Sequence, residues 1–200
     1  MELTEAVERR RMTRNFSGRP LDPALEDRLV ALALRAPSAG NTQGRELVVL
    51  EGADETSLYW DATTDPAWRA NSKRFAGLAR APIVLLPFAD PDAYVSRYRE
   101  PDKQRQPGEP DLEWVVPYWL VDTAFSVMTL LFGASDAGVG AGFLGNFRGE
   151  AELHAALGVP ERFRWLGAVL LGEPAQPDPP STSSLRPRRT IEECVHRGHW

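Results

Sequence analysis

Arginine side chains are concentrated near both ends of this 200-residue chain. One cluster is Arg9–Arg11 with Arg14, and the other contains Arg186, Arg188 and Arg189. A planar guanidinium group binds phosphate oxygens through paired, charge-assisted hydrogen bonds, so the two clusters could act together as clamps on one phosphate group. The alternative is that the first cluster is a solvated helix end and the second is a set of tail charges.

The overall composition is that of a globular protein with a single core. The chain is 42% hydrophobic and 26% charged, and its length fits one domain spanning residues 1–200. Its net charge of -5 argues against a general nucleic-acid binder, because binding to a phosphate backbone needs a summed positive field. Any anion that the protein binds must therefore be met by the local arginine clusters.

The cysteine, the histidines and the N-terminal segment indicate which other classes of site and location to expect. The single Cys194 cannot close an intrachain disulfide, and residues 1–15 contain no apolar run of signal or membrane length. We therefore expect a cytoplasmic protein without a membrane segment. His154, His196 and His199 lack metal-ligand spacing, so no metal site is expected.

Helices and short strands are predicted to position the clusters. Residues 2–11 read as a helix that ends in basic residues. A second helix begins at Asp22-Pro23, an N-capping carboxylate followed by proline, and ends before Pro37. The other predicted elements are strands at 46–51, 82–89 and 164–171 and helices at 67–79, 118–137 and 150–157. The helix at 118–137 is apolar almost all round, which predicts burial on both sides, either in the centre of the fold or at a subunit interface.

Two segments outside these elements have their own character. Residues 90–113 are polar and proline-containing but include Tyr94 and Tyr98, which is typical of a mobile surface insertion whose aromatic residues cover something. The alternative is an exposed loop anchored by the two tyrosines. Residues 173–200 are rich in proline and serine and yet end in apolar residues, so we expect an extended arm that wraps around a partner subunit.

Four motifs occur in order along the chain. They are the basic segment Arg10–Phe16, the segment Ala36–Gln43, the glycine-rich segment Gly138–Asn146 and the closing segment Arg186–His196. The glycines of the third motif suggest a backbone that passes close to another surface or to a ligand. Together, across almost the whole chain, the four motifs resemble those of the nitroreductase family. The sequence departs from the family pattern at Met12, in place of a hydroxyl residue, and at Gly44-Arg45, in place of Pro-Trp.

This resemblance implies an α+β fold with a central, mostly antiparallel sheet flanked by helices, in a homodimer that exchanges its C-terminal arms. It also implies FMN as cofactor and assigns residues to it. The phosphate clamps are Arg10, Arg11, Arg186 and Arg188, and Met12 contributes its backbone N–H. Arg14 approaches the pyrimidine end of the flavin, and the backbone at Leu144, Gly145 and Asn146 approaches flavin N5 and O4. The opposite subunit contributes Pro37, Ser38, Ala39, Gly40 and Asn41. Asn71 and Arg74 are candidates for the pyrimidine edge or the ribityl chain.

The activity implied by the resemblance is hydride transfer from NAD(P)H through flavin N5 to a nitroaromatic, quinone or enone-like acceptor. We expect a ping-pong mechanism with no catalytic side chain, because the motifs provide one flavin and no separate donor domain. Two alternatives remain open. The protein could bind or consume flavin without turnover of an external acceptor, or it could be an interaction module whose basic ends bind a phosphorylated or nucleic-acid partner.

Overall fold

The computed structural model describes residues 2–104, 106, 110–180 and 182–200. Part of the predicted insertion at 90–113 and one residue of the predicted arm, Ser181, therefore lie outside the described residues. The predicted covering role of the insertion and the exchange of the arm stay predictions.

A five-stranded antiparallel sheet forms the centre of the fold. Its strands are β1 (Arg45–Glu51), β2 (Ile83–Ala89), β3 (Gly140–Gly145), β4 (Arg164–Trp165) and β5 (Gly167–Gly172). The order across the sheet is β1-β2-β5-β3, and β4 pairs with one end of β2. All pairings between these strands are antiparallel, which confirms the predicted fold class.

Two differences from the predicted strands have a local cause. The strand predicted at 164–171 is divided at Leu166, whose N–H donates to the carbonyl of Pro87 before Gly167 takes a φ of 146°. Most of the glycine-rich segment, for which no strand was predicted, forms the edge strand β3. Its glycines and alanine lack the branched side chains that mark a strand in a sequence, so the pairing with β5 decides its structure.

Nine helices and two short 3₁₀ turns occur among the described residues. They are α1 (Leu3–Arg9), α2 (Pro23–Leu34), α3 (Gly52–Thr63), α4 (Pro66–Asn71), α5 (Phe75–Leu78), α6 (Pro91–Tyr98), α7 (Tyr118–Asp136), α8 (Glu150–Leu157) and α9 (Ile191–Cys194), with 3₁₀ turns at Ala39–Asn41 and Thr182–Leu185. The predicted cap of α2 is confirmed, because Asp22 accepts a hydrogen bond from the N–H of Ala24 at 2.9 Å.

The helix predicted at 67–79 is wrong in its extent. The chain forms α4 and α5 instead, because Ser72 adopts an extended conformation between them. The preceding helix α3 has no counterpart among the predicted elements. The signals for it were the acidic first turn with Asp54 and Glu55 and the apolar Tyr59-Trp60 pair, which is buried against the sheet.

The first part of the predicted insertion forms a helix rather than a loop. Residues 91–98 form α6, whose N-cap Asp90 accepts hydrogen bonds from the N–H groups of Asp92 and Ala93. Tyr94 is completely buried. This part of the segment is therefore built into the fold, and Tyr94 anchors it.

Two layers of helices cover the faces of the sheet. On one face, α3 and α8 pack over Val84, Leu86 and Phe88 of β2. On the other face, α2 and α7 pack over Ile83 and Leu85 of the same strand. The alternation along β2 explains why this strand, buried on both faces, reads as a continuous apolar run.

Helix α7 confirms the long helix predicted at 118–137, but the single chain buries only one of its faces. Leu130 and Ala134 are fully buried, whereas Tyr118 and Phe125 are 42% and 47% exposed. Within the described residues, α7 also has the length and hydropathy of a membrane-spanning helix, a property that it shares with core helices of soluble proteins. A subunit interface on its exposed face stays a prediction.

The chain after β5 runs beside the N-terminal segment. The N–H of Ser17 donates to the carbonyl of Glu173 and the N–H of Ala175 donates to the carbonyl of Asn15, both at 2.9 Å. The described residues from 182 to 200 are exposed and include α9. Such an exposed tail is consistent with the predicted arm.

Candidate functional site

The site begins where the N-terminal segment crosses the edge strand β3. The N–H of Thr13 donates to the carbonyl of Ala141 at 2.8 Å, and Met12 pairs with Ala141 in a parallel bridge. A methyl group added at Gly142 would lie 2.4 Å from the carbonyl oxygen of Thr13. Glycine is therefore needed at this position so that the two backbones can meet, and this crossing fixes the arginines on either side of Thr13.

A cavity of about 300 Å³ lies beside this crossing. Its lining combines Arg10, Arg11, Met12 and Arg14 with tail residues at 178–180, 183 and 184. A second cavity of about 580 Å³ shares Arg10 and Arg11 and extends to the end of α7 and the start of β3. The predicted N-terminal residues of the cofactor site are thus brought together on one concave surface.

Arg10 is the most informative residue of this cavity. Its Nη1 is buried and has no hydrogen-bond partner among the described residues, as is also true of Nε and Nη1 of Arg45, but Arg10 in addition lines both arginine cavities. A buried charged donor without an acceptor is costly, and native proteins rarely leave one unpaired without a functional reason. A phosphate oxygen would supply the acceptor, so the residues present fit a phosphate-bearing ligand.

Arg14 and Asp178 meet at the same place. The N–H of Arg14 donates to a carboxylate oxygen of Asp178 at 3.1 Å, and the Arg14 guanidinium donates to the carbonyl of Met12. Asp178 therefore brings a negative charge into the arginine cluster. Sequence reasoning missed this residue, because a carboxylate in a proline-rich tail carries no signal of its own.

Helix α5, which follows Asn71 and Arg74 in the chain, contacts the backbone of Arg14. A methyl group added at Gly77 would lie 2.8 Å from the carbonyl oxygen of Arg14, and Gly77 accepts a hydrogen bond from the N–H of Phe16. Arg74 immediately precedes α5 and is exposed, while Asn71 donates its side-chain amide to the carbonyl of Ala67. Gly77 of α5 therefore lies against the backbone of Arg14, and the flavin contacts predicted for Asn71 and Arg74 stay predictions.

The end of β3 carries the residues predicted to approach flavin N5 and O4. The Asn146 side chain donates to the carboxylate of Glu150 at 2.9 Å and to the carbonyl of Trp165, so its amide is engaged in structure. Leu144 and Gly145 are half-buried. Phe147 is 92% exposed, and a methyl group added at Gly145 would touch its ring. Sequence reasoning missed Phe147, although an aromatic residue after a glycine-rich segment was a usable signal.

The turn formed by the second motif is held by other parts of the fold. The N–H of Ala39 donates to Asp122 and the carbonyl of Gly40 accepts from Arg97. Among the described residues, no hydrogen bond or ion pair joins residues 37–41 to the arginine cavity. The predicted contact of Pro37, Ser38, Ala39, Gly40 and Asn41 with the flavin of the opposite subunit stays a prediction.

Two residues near this turn explain its stability. Arg45, where the sequence departs from the family pattern, is buried and donates to the carbonyls of Leu34 and Ala36 at the end of α2. Burial, together with the hydrogen bond to Asp122, raises the pKa of the Tyr94 hydroxyl above its ordinary value. This hydroxyl is therefore a permanent donor to the Asp122 carboxylate.

The closing motif is the part that the single chain does not bring to the site. Arg186 and Arg188 are exposed and are absent from the lining of both arginine cavities. Their predicted role as phosphate clamps stays a prediction that depends on where the arm lies in an assembly.

Comparison with known proteins identifies the family. The sequence profile described as Nitroreductase family matches residues 7–173. The chain belongs to the nitroreductase family. This membership confirms the family predicted from the four motifs and places the chain among oxidoreductases.

Solved structures of nitroreductase-like proteins share the fold at low sequence identity. A nitroreductase family protein from Clostridium novyi NT is 22% identical, with 90% of this chain and 89% of that chain covered and a TM-score of 0.66. A proposed nitroreductase from Desulfovibrio desulfuricans, in complex with FMN, is 20% identical, with 100% and 98% covered and a TM-score of 0.70. A proposed NADH oxidase from Clostridium acetobutylicum is 20% identical, with 98% and 99% covered and a TM-score of 0.68.

Proposed function

We propose that this protein is a cytoplasmic, homodimeric, FMN-dependent oxidoreductase that transfers hydride from NAD(P)H to a small organic acceptor, such as a nitroaromatic, quinone or enone. The observation that carries the proposal is the buried, unpartnered Nη1 of Arg10 beside Arg11 and Arg14. A phosphate monoester bears roughly two negative charges and matches this donor set. Membership in the nitroreductase family and the FMN complex of a similar protein support FMN as the source of that phosphate.

Each part of the concave surface has a task in this proposal. Arg10 and Arg11 bind the phosphate, and the backbone at Met12 supplies a further donor. Arg14 contributes a positive charge to the arginine cavity, where it would balance the negative charge of a reduced flavin ring. Gly145 has no side chain, and the Asn146 side chain is turned away toward Glu150, so the backbone of both residues is free to approach the ring edge.

Bound FMN would supply the redox chemistry by accepting hydride at N5 and passing it to an acceptor that later occupies the same place, in ping-pong order. The protein's own contribution is to hold the donor and the acceptor close to the ring and to balance charge. No protein acid or base is needed for the hydride step.

An aromatic cluster is suited to cover the acceptor. The ring centroid of Trp114 lies 4.8 Å from that of Tyr98 and 6.0 Å from those of Tyr118 and Trp119. Tyr98 also lies against the turn at Ala39–Asn41, since a methyl group added at Gly40 would come within 3.0 Å of its ring. In the proposed dimer, this cluster closes the flavin pocket above the turn.

The exposed face of α7 supports the dimer. Phe125 and Tyr118 expose apolar surface on a helix whose other face is buried, and Leu3 and Val7 of α1 are exposed as well. Large exposed apolar side chains on ordered helices are typical of interaction surfaces. A second copy would cover them and would bring the turn at Ala39–Asn41 to its flavin.

The experiment that tests the proposal begins with the visible absorbance of the purified protein and chromatography of the released cofactor. Steady-state kinetics with NADH and NADPH against a nitroaromatic and a quinone then define turnover. We expect bound FMN, parallel lines in double-reciprocal plots and continued NAD(P)H oxidation. A yellow protein that oxidises NAD(P)H only stoichiometrically would instead support the alternative of flavin binding or consumption without an external acceptor, and a colourless protein that cannot be reconstituted would contradict both.

A further inference from the structure

The turn between α2 and β1 has an unusual backbone conformation. Gly40, Asn41 and Gln43 have φ angles of 61°, 53° and 56°. The left-handed region is unfavourable for residues with a side chain, and such conformations persist only where the surroundings hold them. The turn holds itself in part, because the N–H of Gln43 donates to the hydroxyl of Ser38 at 2.9 Å, and two side chains from outside the turn add further restraints.

The first restraint is a buried carboxylate. Asp122 of α7 is only 3% exposed, and its Oδ2 accepts hydrogen bonds from the N–H of Ala39 and from the hydroxyl of Tyr94, each at 2.7 Å. A buried carboxylate is costly unless donors surround it. Asp122 therefore connects α7, α6 and the turn through one oxygen atom.

The second restraint is an arginine whose orientation is itself fixed. Nε of Arg97 donates to the carbonyl of Gly40 at 2.8 Å. Its two terminal nitrogens donate to the two carboxylate oxygens of Asp102 at 2.7 and 2.8 Å. The paired geometry with Asp102, together with a hydrogen bond from Nη1 to Glu100 at 2.9 Å, holds the guanidinium plane so that the Nε–H points at the carbonyl of Gly40.

We infer that Tyr94, Asp122 and Arg97 are positioning residues that hold the Ala39–Asn41 turn in its flavin-binding conformation. The inference rests on the proposed function, in which this turn contacts the flavin of the partner subunit. It assigns to α6 a task beyond covering the pocket, because the helix that carries the aromatic cover also sets the shape of the turn against which that cover lies.

The size of the effect follows from the population of the competent turn. When a ligand binds only the ordered form, its apparent dissociation constant rises in inverse proportion to the fraction that is ordered. Loss of the Arg97 contact that leaves about a tenth of the turns ordered would weaken FMN binding by about tenfold. The same disorder would speed hydrogen exchange at Asn41 and Thr42, whose N–H groups donate to the carbonyls of Ser38 and Ala39.

The test uses the full-length protein with Arg97→Gln, Arg97→Lys and Tyr94→Phe. The matched control is Arg99→Gln, which removes the same charge from the end of the same helix and breaks only an exposed pair with Asp111. For each protein, FMN affinity is measured by fluorescence titration, and amide exchange at residues 39–43 is measured without FMN. Tyr94→Phe removes one donor to Asp122 and preserves the ring.

We expect Arg97→Gln to weaken FMN binding about tenfold and to speed exchange of the turn, with partial rescue in Arg97→Lys and no change in Arg99→Gln. Tyr94→Phe is expected to change both quantities in the same direction. Faster exchange with unaltered FMN affinity would overturn the inference, as would unaltered exchange. A parent protein that binds no FMN would instead refute the proposed function itself, and the flavin role of the turn with it.

Discussion

Replacement of Arg10 by alanine tests whether this arginine binds a ligand or stabilises the fold. Arg10 follows α1, and its N–H donates to the carbonyl of Ala6 at 3.1 Å, a backbone contact that alanine can retain. The guanidinium Nη1 has no partner among the described residues. Among the residues that the structure describes, the substitution therefore removes no hydrogen bond of that atom, and we expect it to weaken ligand binding rather than the fold.

The expected magnitude follows from the charge of the lost donor. Loss of a charge-assisted hydrogen bond costs about 1.5–3 kcal/mol, which corresponds to a rise in the FMN dissociation constant of roughly 10- to 100-fold. Because a buried, unpaired donor is itself unfavourable, the free energy of unfolding of the flavin-free protein should stay unchanged or rise by up to about 1 kcal/mol. Arg10→Lys should restore part of the affinity, since it keeps the charge but loses the planar fork.

The assay is FMN titration at fixed ionic strength, combined with urea unfolding of the flavin-free protein. Arg19→Ala is the control, because Arg19 is exposed and pairs with Glu173 away from the cavity. Arg10→Ala that binds FMN as the parent does, while its flavin-free form unfolds at lower urea, would refute the assignment and make Arg10 a structural residue.

Three further predictions test other parts of the site. Arg14→Ala should lower the reduction potential of the bound flavin and slow its reduction by NAD(P)H in stopped flow at saturating FMN; an unchanged potential and rate would remove its electrostatic role. Truncation before Glu173 should abolish the dimer, or at least its flavin, and light scattering that shows an intact dimer with bound flavin would contradict the exchanged arm. Gly142→Ala should destabilise the protein by about 1–3 kcal/mol, because its methyl group would meet the Thr13 carbonyl oxygen. Gly145→Ala would meet only the Phe147 ring, so we expect this variant to keep its stability and to lose FMN affinity.

The elements that sequence reasoning found are those whose residues carry a local signal. The cap at Asp22, the branched apolar run of β2 and the long apolar run of α7 each determine one structure over a stretch longer than a turn. By contrast, β3 is a strand because it forms hydrogen bonds with β5. The break between α4 and α5 at Ser72 is not marked by a proline or a glycine. Such features depend on tertiary contacts, which the periodicity of a single sequence does not predict.

The residues of the candidate site also differ in how far the sequence alone could identify them. The arginines of the first motif could be proposed from the family resemblance and from the affinity of guanidinium groups for phosphate, because both depend only on residue types and their order along the chain. The network around Asp122 could not, although a lone carboxylate in the middle of an apolar helix was a signal. Its partners, Tyr94 and Ala39, lie 28 and 83 residues away in the chain, and only folding brings them together.

The glycines of the third motif show how one sequence feature can serve two purposes. The sequence predicted a backbone that passes close to another surface or to a ligand. The structure shows the first kind of approach at Gly140 and Gly142, where added methyl groups would meet the side chain and the carbonyl of Thr13. At Gly145 the neighbour is the ring of the exposed Phe147, which can move. Gly140 and Gly142 therefore allow the N-terminal segment, with its arginines, to pack against the edge of the sheet. Gly145 leaves the backbone without a side chain at the place where the flavin ring is proposed to bind.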